Sequence, residues 1–253
     1  MRLFSPGVKA NISGGQIQKA FQKLAITISG PKSAGVNTNV QFAADLANIY
    51  FSLRRVGGKL GEKIVWPRIN GQELLSVGLA NYGYAKTTGT LAATSYSGYF
   101  TIDINRHAAH SLADSAYLEL NLENSVDNLA VVVDGVGCHE ANFNLNRIER
   151  EVFKNGESKQ RAINGTDMIG AYKLLLPATI SSVRFNSSDP FTADQYDIAG
   201  QLTDETALIL NVGDCGMAQP SHAPFNIDDN CRSADVDNGG ADSTVLILRE
   251  MFY

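Results

Sequence analysis

Apolar and polar residues alternate along much of this chain, and the alternation has the period of a strand. Residues 24–28, 49–53, 63–69, 99–104 and 116–122 change character at nearly every second position, which predicts half-buried strands. Residues 129–133 (Leu-Ala-Val-Val-Val) form an unbroken apolar run of the buried type. The second half repeats the theme at 172–176, 180–185, 207–212 and 244–253, and 40–42 is a weaker strand candidate. Turn chemistry punctuates the runs: 30–35, Gly57-Gly58, Asn70-Gly71, Asp134-Gly135, Asn155-Gly156 and Asn164-Gly165. Asn70-Gly71 predicts a hairpin, because both residues tolerate positive φ. Residues 16–24 could form a short amphipathic helix, marginal alone. Residues 82–97 and the acidic stretch 213–242 show no period and read as long loops.

The two halves share a rhythm of strands, a long excursion and a closing strand. A faint textual echo accompanies it: residues 68–75 and 162–169 both carry Ile-Asn-Gly, then a polar, an acidic and two apolar residues. The connecting stretch 139–154 is the candidate boundary. The expected organisation is an N-terminal arm over 1–20, one β sandwich over 21–140 and a second over 141–253. The class is all-β, with short helices only in connections.

Composition supports this. Charged residues make up 19% of the chain, below the usual ~25%, and exposed helix faces normally need more. Net charge is −5, which argues against dedicated nucleic-acid recognition. Its placement is uneven. Residues 1–70 are rich in Lys and Arg with only Asp45 and Glu62 opposing, whereas beyond Arg184 the basic residues are Arg232 and Arg249. Either the two ends meet different partners or both sets are solvated surface. Residues 1–7 lack the apolar stretch of a secretory leader, and no apolar run reaches the ~18 residues of a membrane helix. The expectation is synthesis in a cytoplasm and solubility until assembly.

Candidate chemistry is thin. Cys138, Cys215 and Cys231 lack C-x-x-C spacing; they are three small hydrophobes, or Cys215 and Cys231 are bridged. His107 and His110 would share a face with Asp114 a turn later if this piece is helical, as a metal site needs, but the Glu of a zinc-hydrolase motif is missing; the alternative is a plain connection between strands. Cys138-His139-Glu140 holds nucleophile, base and acid types as chain neighbours, which seldom face one another. Phosphate-binding and nucleophile-elbow motifs are absent. Asp228, Asp229, Asp235 and Asp237 are the best metal candidates, dense enough in hard oxygen to suit calcium; the alternative is a solvated acidic loop. Tyr50, Phe51, Trp66, Tyr82, Tyr84, Tyr96 and Tyr99 make either a sugar- or receptor-binding platform or core and loop anchors.

Two successive sandwiches behind a basic N-terminal segment, with hairpin segments at 65–75 and 171–185 and a terminal strand at 244–253, resemble a known family. It is the double jelly-roll major capsid proteins of tailless, membrane-containing icosahedral phages of the corticovirus type. The resemblance implies two tandem eight-stranded jelly rolls and a structural virion protein without catalytic function. It implies homotrimers forming pseudo-hexagonal capsomers, with neighbouring capsomers, penton and minor capsid proteins and an internal lipid membrane as partners. Arg2, Lys9, Lys19 and Lys23 would face that membrane or the interior, and the stretches 82–97 and 213–242 would project outward. The alternative is a β-sandwich binding module such as a phage spike or a carbohydrate-binding protein.

Overall fold

The structure, a computed structural model, describes residues 2–4, 11–12, 16–17, 21–57, 62–81, 83, 85–103, 117–137, 145–163, 170–186, 191–192, 220–227 and 231–251. Their strands form four antiparallel sheets, with two helices.

The first half contributes β1 (Arg2–Phe4), β2 (Asn11–Ile12), β3 (Gln16–Ile17), β4 (Phe21–Pro31), β5 (Ile49–Val56), β6 (Lys63–Asn70), β7 (Ala85–Thr88), β8 (Ser95–Asp103), β9 (Tyr117–Asn124) and β10 (Ala130–Gly137). One sheet runs β1-β10-β4-β8-β7, and the other β2-β9-β5-β6 with β3 also on β9. The second half contributes β11 (Leu145–Phe153), β12 (Ser158–Ala162), β13 (Ala171–Leu176), β14 (Ile180–Phe185), β15 (Phe191–Thr192), β16 (Ala223–Asn226), β17 (Ser233–Asn238) and β18 (Ser243–Met251). Its sheets run β11-β18-β13-β16 and β12-β17-β14-β15.

These orders decide the fold. If the eight positions of a jelly roll are lettered B to I along the chain, its sheets read B-I-D-G and C-H-E-F. The second half matches strand for strand from β11 to β18. The first half matches when β1 is B, β2 and β3 together are C, β4, β5 and β6 are D, E and F, and β8, β9 and β10 are G, H and I. Strand β7 is an additional edge beyond G. The chain is therefore two jelly rolls in tandem.

That lettering corrects the expected arm over residues 1–20. Its described segments are sheet strands: Arg2 registers with Asp134, Asn11 with Glu123 and Gln16 with Glu119. The expected helix at 16–24 is likewise β3 and the start of β4. Residues 40–42 belong not to a strand but to helix α1 (Thr38–Ala47), whose buried Thr38, Phe42, Asp45 and Leu46 follow the helical repeat. Asn70-Gly71 is no hairpin. Asn70 caps helix α2 (Gly71–Ala80): its side chain accepts from Glu73 N at 2.8 Å, and Glu73 accepts in return from Asn70 N at 3.1 Å. Asn serves both motifs, and the Glu three residues on selects the capping box. Asp134-Gly135 lies inside β10. The supposed loops at 82–97 and 213–242 hold β7 and the start of β8, and β16 and β17. The predicted strand at 207–212 and the turn at 164–165 lie outside the described residues.

Each sandwich has its own interior. The first is large and aromatic: Trp66, Phe42, Phe51 and Phe100 are fully buried with Leu24, Ile26, Ile28 and Leu120. Gly98 permits this, since a Cβ there would stand 2.3 Å from the Phe42 ring. The second is smaller, built on Phe153, Leu174, Leu176, Val236 and Ile247.

Candidate functional site

The most elaborate polar arrangement among the described residues lies where the two jelly rolls meet. Helix α2, in the F–G connection of the first, is buried on almost every side: Glu73, Leu74, Leu75, Ser76, Val77, Gly78 and Ala80 are all buried. Gly78 lets it press against β8, where a Cβ would stand 2.4 Å from the Thr101 carbonyl. Its other side meets the sheet β11-β18-β13-β16, whose central strands β13 and β18 are buried on both faces. Along β13 and β18, Leu174, Leu176, Val245 and Ile247 point into the second interior, while Tyr172, Leu175, Leu246 and Leu248 join the first. The runs Leu174-Leu175-Leu176 and Val245-Leu246-Ile247-Leu248 are continuous because both faces are covered.

Cations of the second sandwich hold α2 at both ends. In its first turn, buried Glu73 receives Arg150 Nε on both carboxylate oxygens at 3.1 Å, and Arg150 Nη2 donates to Thr244 Oγ1 at 3.0 Å. At the far end, buried Lys173 donates its ammonium to the Ala80 carbonyl, where the helix dipole favours a positive charge. Asn81 Nδ2 donates to Tyr172 Oη at 3.1 Å.

Between the clamps runs a chain of hydroxyls ending in a histidine. Ser221 N donates to Ser76 Oγ at 2.9 Å, and the two hydroxyls are 3.3 Å apart. Ser221 Oγ lies 2.7 Å from His222 Nδ1, and His222 Nε2 lies 2.8 Å from the Thr244 carbonyl. A carbonyl can only accept, so Nε2 carries the proton and Nδ1 accepts from Ser221. Burial lowers the imidazole pKa, outweighing the support of the Thr244 carbonyl and Glu73, so the ring is neutral near pH 7. Nothing in the sequence marks His222: beside its neighbour Ser221, the network draws Ser76 and Thr244 from two distant segments.

The residues singled out from sequence fare differently. Asp235 and Asp237 alternate on the outward face of β17. Asp237 accepts from the hydroxyls of Ser158 and Ser182, which hold its carboxyl below the usual range. Asp228 and Asp229 lie outside the described residues. Among those described, no three His, Cys, Asp or Glu side chains gather as metal ligands. Lys23 pairs with Asp103 at 3.3 Å on the neighbouring strand. Arg2 lies in β1, and Lys9 and Lys19 are outside the described residues, as are His107, His110, Asp114, Cys138, His139 and Cys215. Phe51, Trp66 and Tyr96 are core. Tyr50 lies under the guanidinium of Arg68, 3.5 Å from the ring centroid. Tyr99 is half-buried on β8, and Tyr82 and Tyr84 lie outside the described residues.

No protein-family model matches the chain, and no curated protein matches it. Among solved structures, the major capsid protein P2 of bacteriophage PM2 aligns over 100% of this chain and 96% of its own, at 10% identity and a TM-score of 0.49. A conserved Pseudomonas aeruginosa protein of unknown function covers 90% of this chain and 81% of its own, at 7% identity and 0.26. The Escherichia coli pirin YhhW, solved with nickel(II), covers 93% and 78%, at 6% identity and 0.22. The double jelly roll itself rests on the strand order above.

Proposed function

We propose that this protein is the major subunit of an icosahedral virion shell, assembling as a trimer whose six jelly rolls give a pseudo-hexagonal capsomer. One observation carries the reading: the full B-I-D-G and C-H-E-F order occurs twice in one chain, and the two sandwiches are joined by a buried sheet face and helix. A tile that must span a fixed width gains from such a rigid pair, whereas a binding module needs only one sandwich and an open platform. Three of the aromatic residues that would have formed that platform, Phe51, Trp66 and Tyr96, are interior instead, which supports the shell reading. Neighbouring capsomers, penton and minor capsid proteins and an internal lipid membrane are the partners this role requires. Calcium at the stretch 228–237 would be an accessory to the same role.

The test is the assembly state of the purified chain. Light scattering should return the mass of three copies, and negative-stain images should show six-lobed outlines. A protein that stays monomeric at high concentration and binds glycans would overturn the proposal.

A further inference from the structure

The hydroxyl-histidine chain at the junction joins the two jelly rolls through a titratable group, and neither packing nor the shell reading requires it to be one. His222 is 5% exposed. Among the described residues, the charged groups facing it are Glu73 on α2 and Arg150 on β11; from β18 the Thr244 carbonyl accepts its Nε2 proton.

A second proton on the ring would go to Nδ1. Ser221 Oγ would then have to accept, turning its own hydrogen toward Ser76 Oγ, which already accepts from Ser221 N and donates to the Gln72 carbonyl at 3.0 Å. The chain can reverse, so its hydrogen bonds survive. Among the described residues the charge finds no free counterion. The one carboxylate among them that faces it, Glu73, is already held on both oxygens by Arg150. An imidazolium here must therefore compete with Arg150 for Glu73 or draw water into the junction, and a buried unpaired charge is strongly disfavoured.

We propose that the junction is an acid-sensitive latch, in which protonation of His222 loosens helix α2 and the first jelly roll from the sheet β11-β18-β13-β16 of the second. The sign follows from linkage. The opened state binds the proton near the ordinary histidine value of ~6.5 and the closed state only below it. The closed junction is thus at full strength above pH ~6.5 and weakens as pH falls through that value. One proton gives up to about a tenfold shift in the opening equilibrium per pH unit.

Hydrogen exchange of the purified full-length wild-type protein between pH 7.5 and 5.5, corrected for intrinsic rates, tests this. Amides of residues 71–80 and 221–226 should lose protection by up to about tenfold over that interval, most of it in the last pH unit, while those of β4 and β8 keep theirs. In His222→Gln, whose amide can donate to Thr244 and accept from Ser221, the loss at 71–80 should fall below twofold. Unchanged protection at 71–80 in the wild type, loss spread equally over β4 and β8, or the same acid response in the variant would each overturn the latch. If the variant does not fold, the wild-type pattern alone decides. None of these readings depends on the assembly state, so failure of the latch and failure of the shell proposal are separable.

Discussion

The two jelly rolls share one wiring diagram and differ in almost everything hung on it. The second is bare among the described residues: eight strands, no helix, and a cation-carboxylate ladder on its outside, where Glu151 pairs with Lys159 and Arg161. The first carries α1 in its D–E connection and α2 with β7 in its F–G connection. It holds the large aromatic core, and its B and C positions are filled by segments of only two or three residues. The fold constrains which strands neighbour each other and leaves the connections free. Here the connection of one sandwich has become the wall against which the other packs. That explains why five residues of the second half, Ile148, Tyr172, Leu175, Leu246 and Leu248, belong to the first half's core.

The comparison can be broken most severely at Trp66. Replacing it by Ala should cost about 3–5 kcal/mol, and because its core continues across the junction, urea unfolding followed by circular dichroism and tyrosine fluorescence (Trp66 is the single tryptophan) should still show one shifted transition. Two separated transitions would mean that the sandwiches are independent despite their shared core. The polar counterpart is sharper and smaller. Glu73→Gln leaves Arg150 without its carboxylate, and should cost about 2 kcal/mol, reduced from the fully buried case because Arg150 is partly exposed. Glu151→Gln, which breaks a solvent-facing pair, should cost less than about 1 kcal/mol; equal costs would erase the distinction between clamp and ladder. At the bottom of the scale stands Asp242→Asn. Its bond to Lys154 is 2.6 Å long but its surroundings are open, so no resolvable change in melting temperature is expected.

Much of the fold was legible, for identifiable reasons. The alternations at 49–53 and 116–122 and the runs at 172–176 and 244–253 fall on β5, β9, β13 and β18 wherever they lie among the described residues. The failures occurred where one residue serves two motifs or where strands are too short to show a period. Asn70 is as good a helix cap as a hairpin residue. Segments of two or three residues such as β1, β2 and β3 have no pattern to read, and their place is set by the exposed edges of β9 and β10. The junction was the least legible part. Glu73, Arg150, Ser221 and His222 are unremarkable apart, and only the packing of α2 brings them within hydrogen-bonding distance.

The sheet shared by the two cores raises a problem of alignment. In an ordinary one-sided sheet, a one-residue slip turns apolar side chains to water and is punished at once. In β13 and β18 a slip would only hand Leu174 and Ile247 to one interior and Leu175 and Leu248 to the other, with little change in hydrophobic burial. Polar residues must therefore set the register. Arg249, almost fully buried, donates to Glu149 at 2.8 Å and to the carbonyls of Ile163 and Ala162 at 2.7 and 2.9 Å. Lys173 reaches the end of α2. A slip would strand both charges in apolar surroundings, so these two cations act as the alignment pins of a sheet whose greasy residues cannot tell one side from the other.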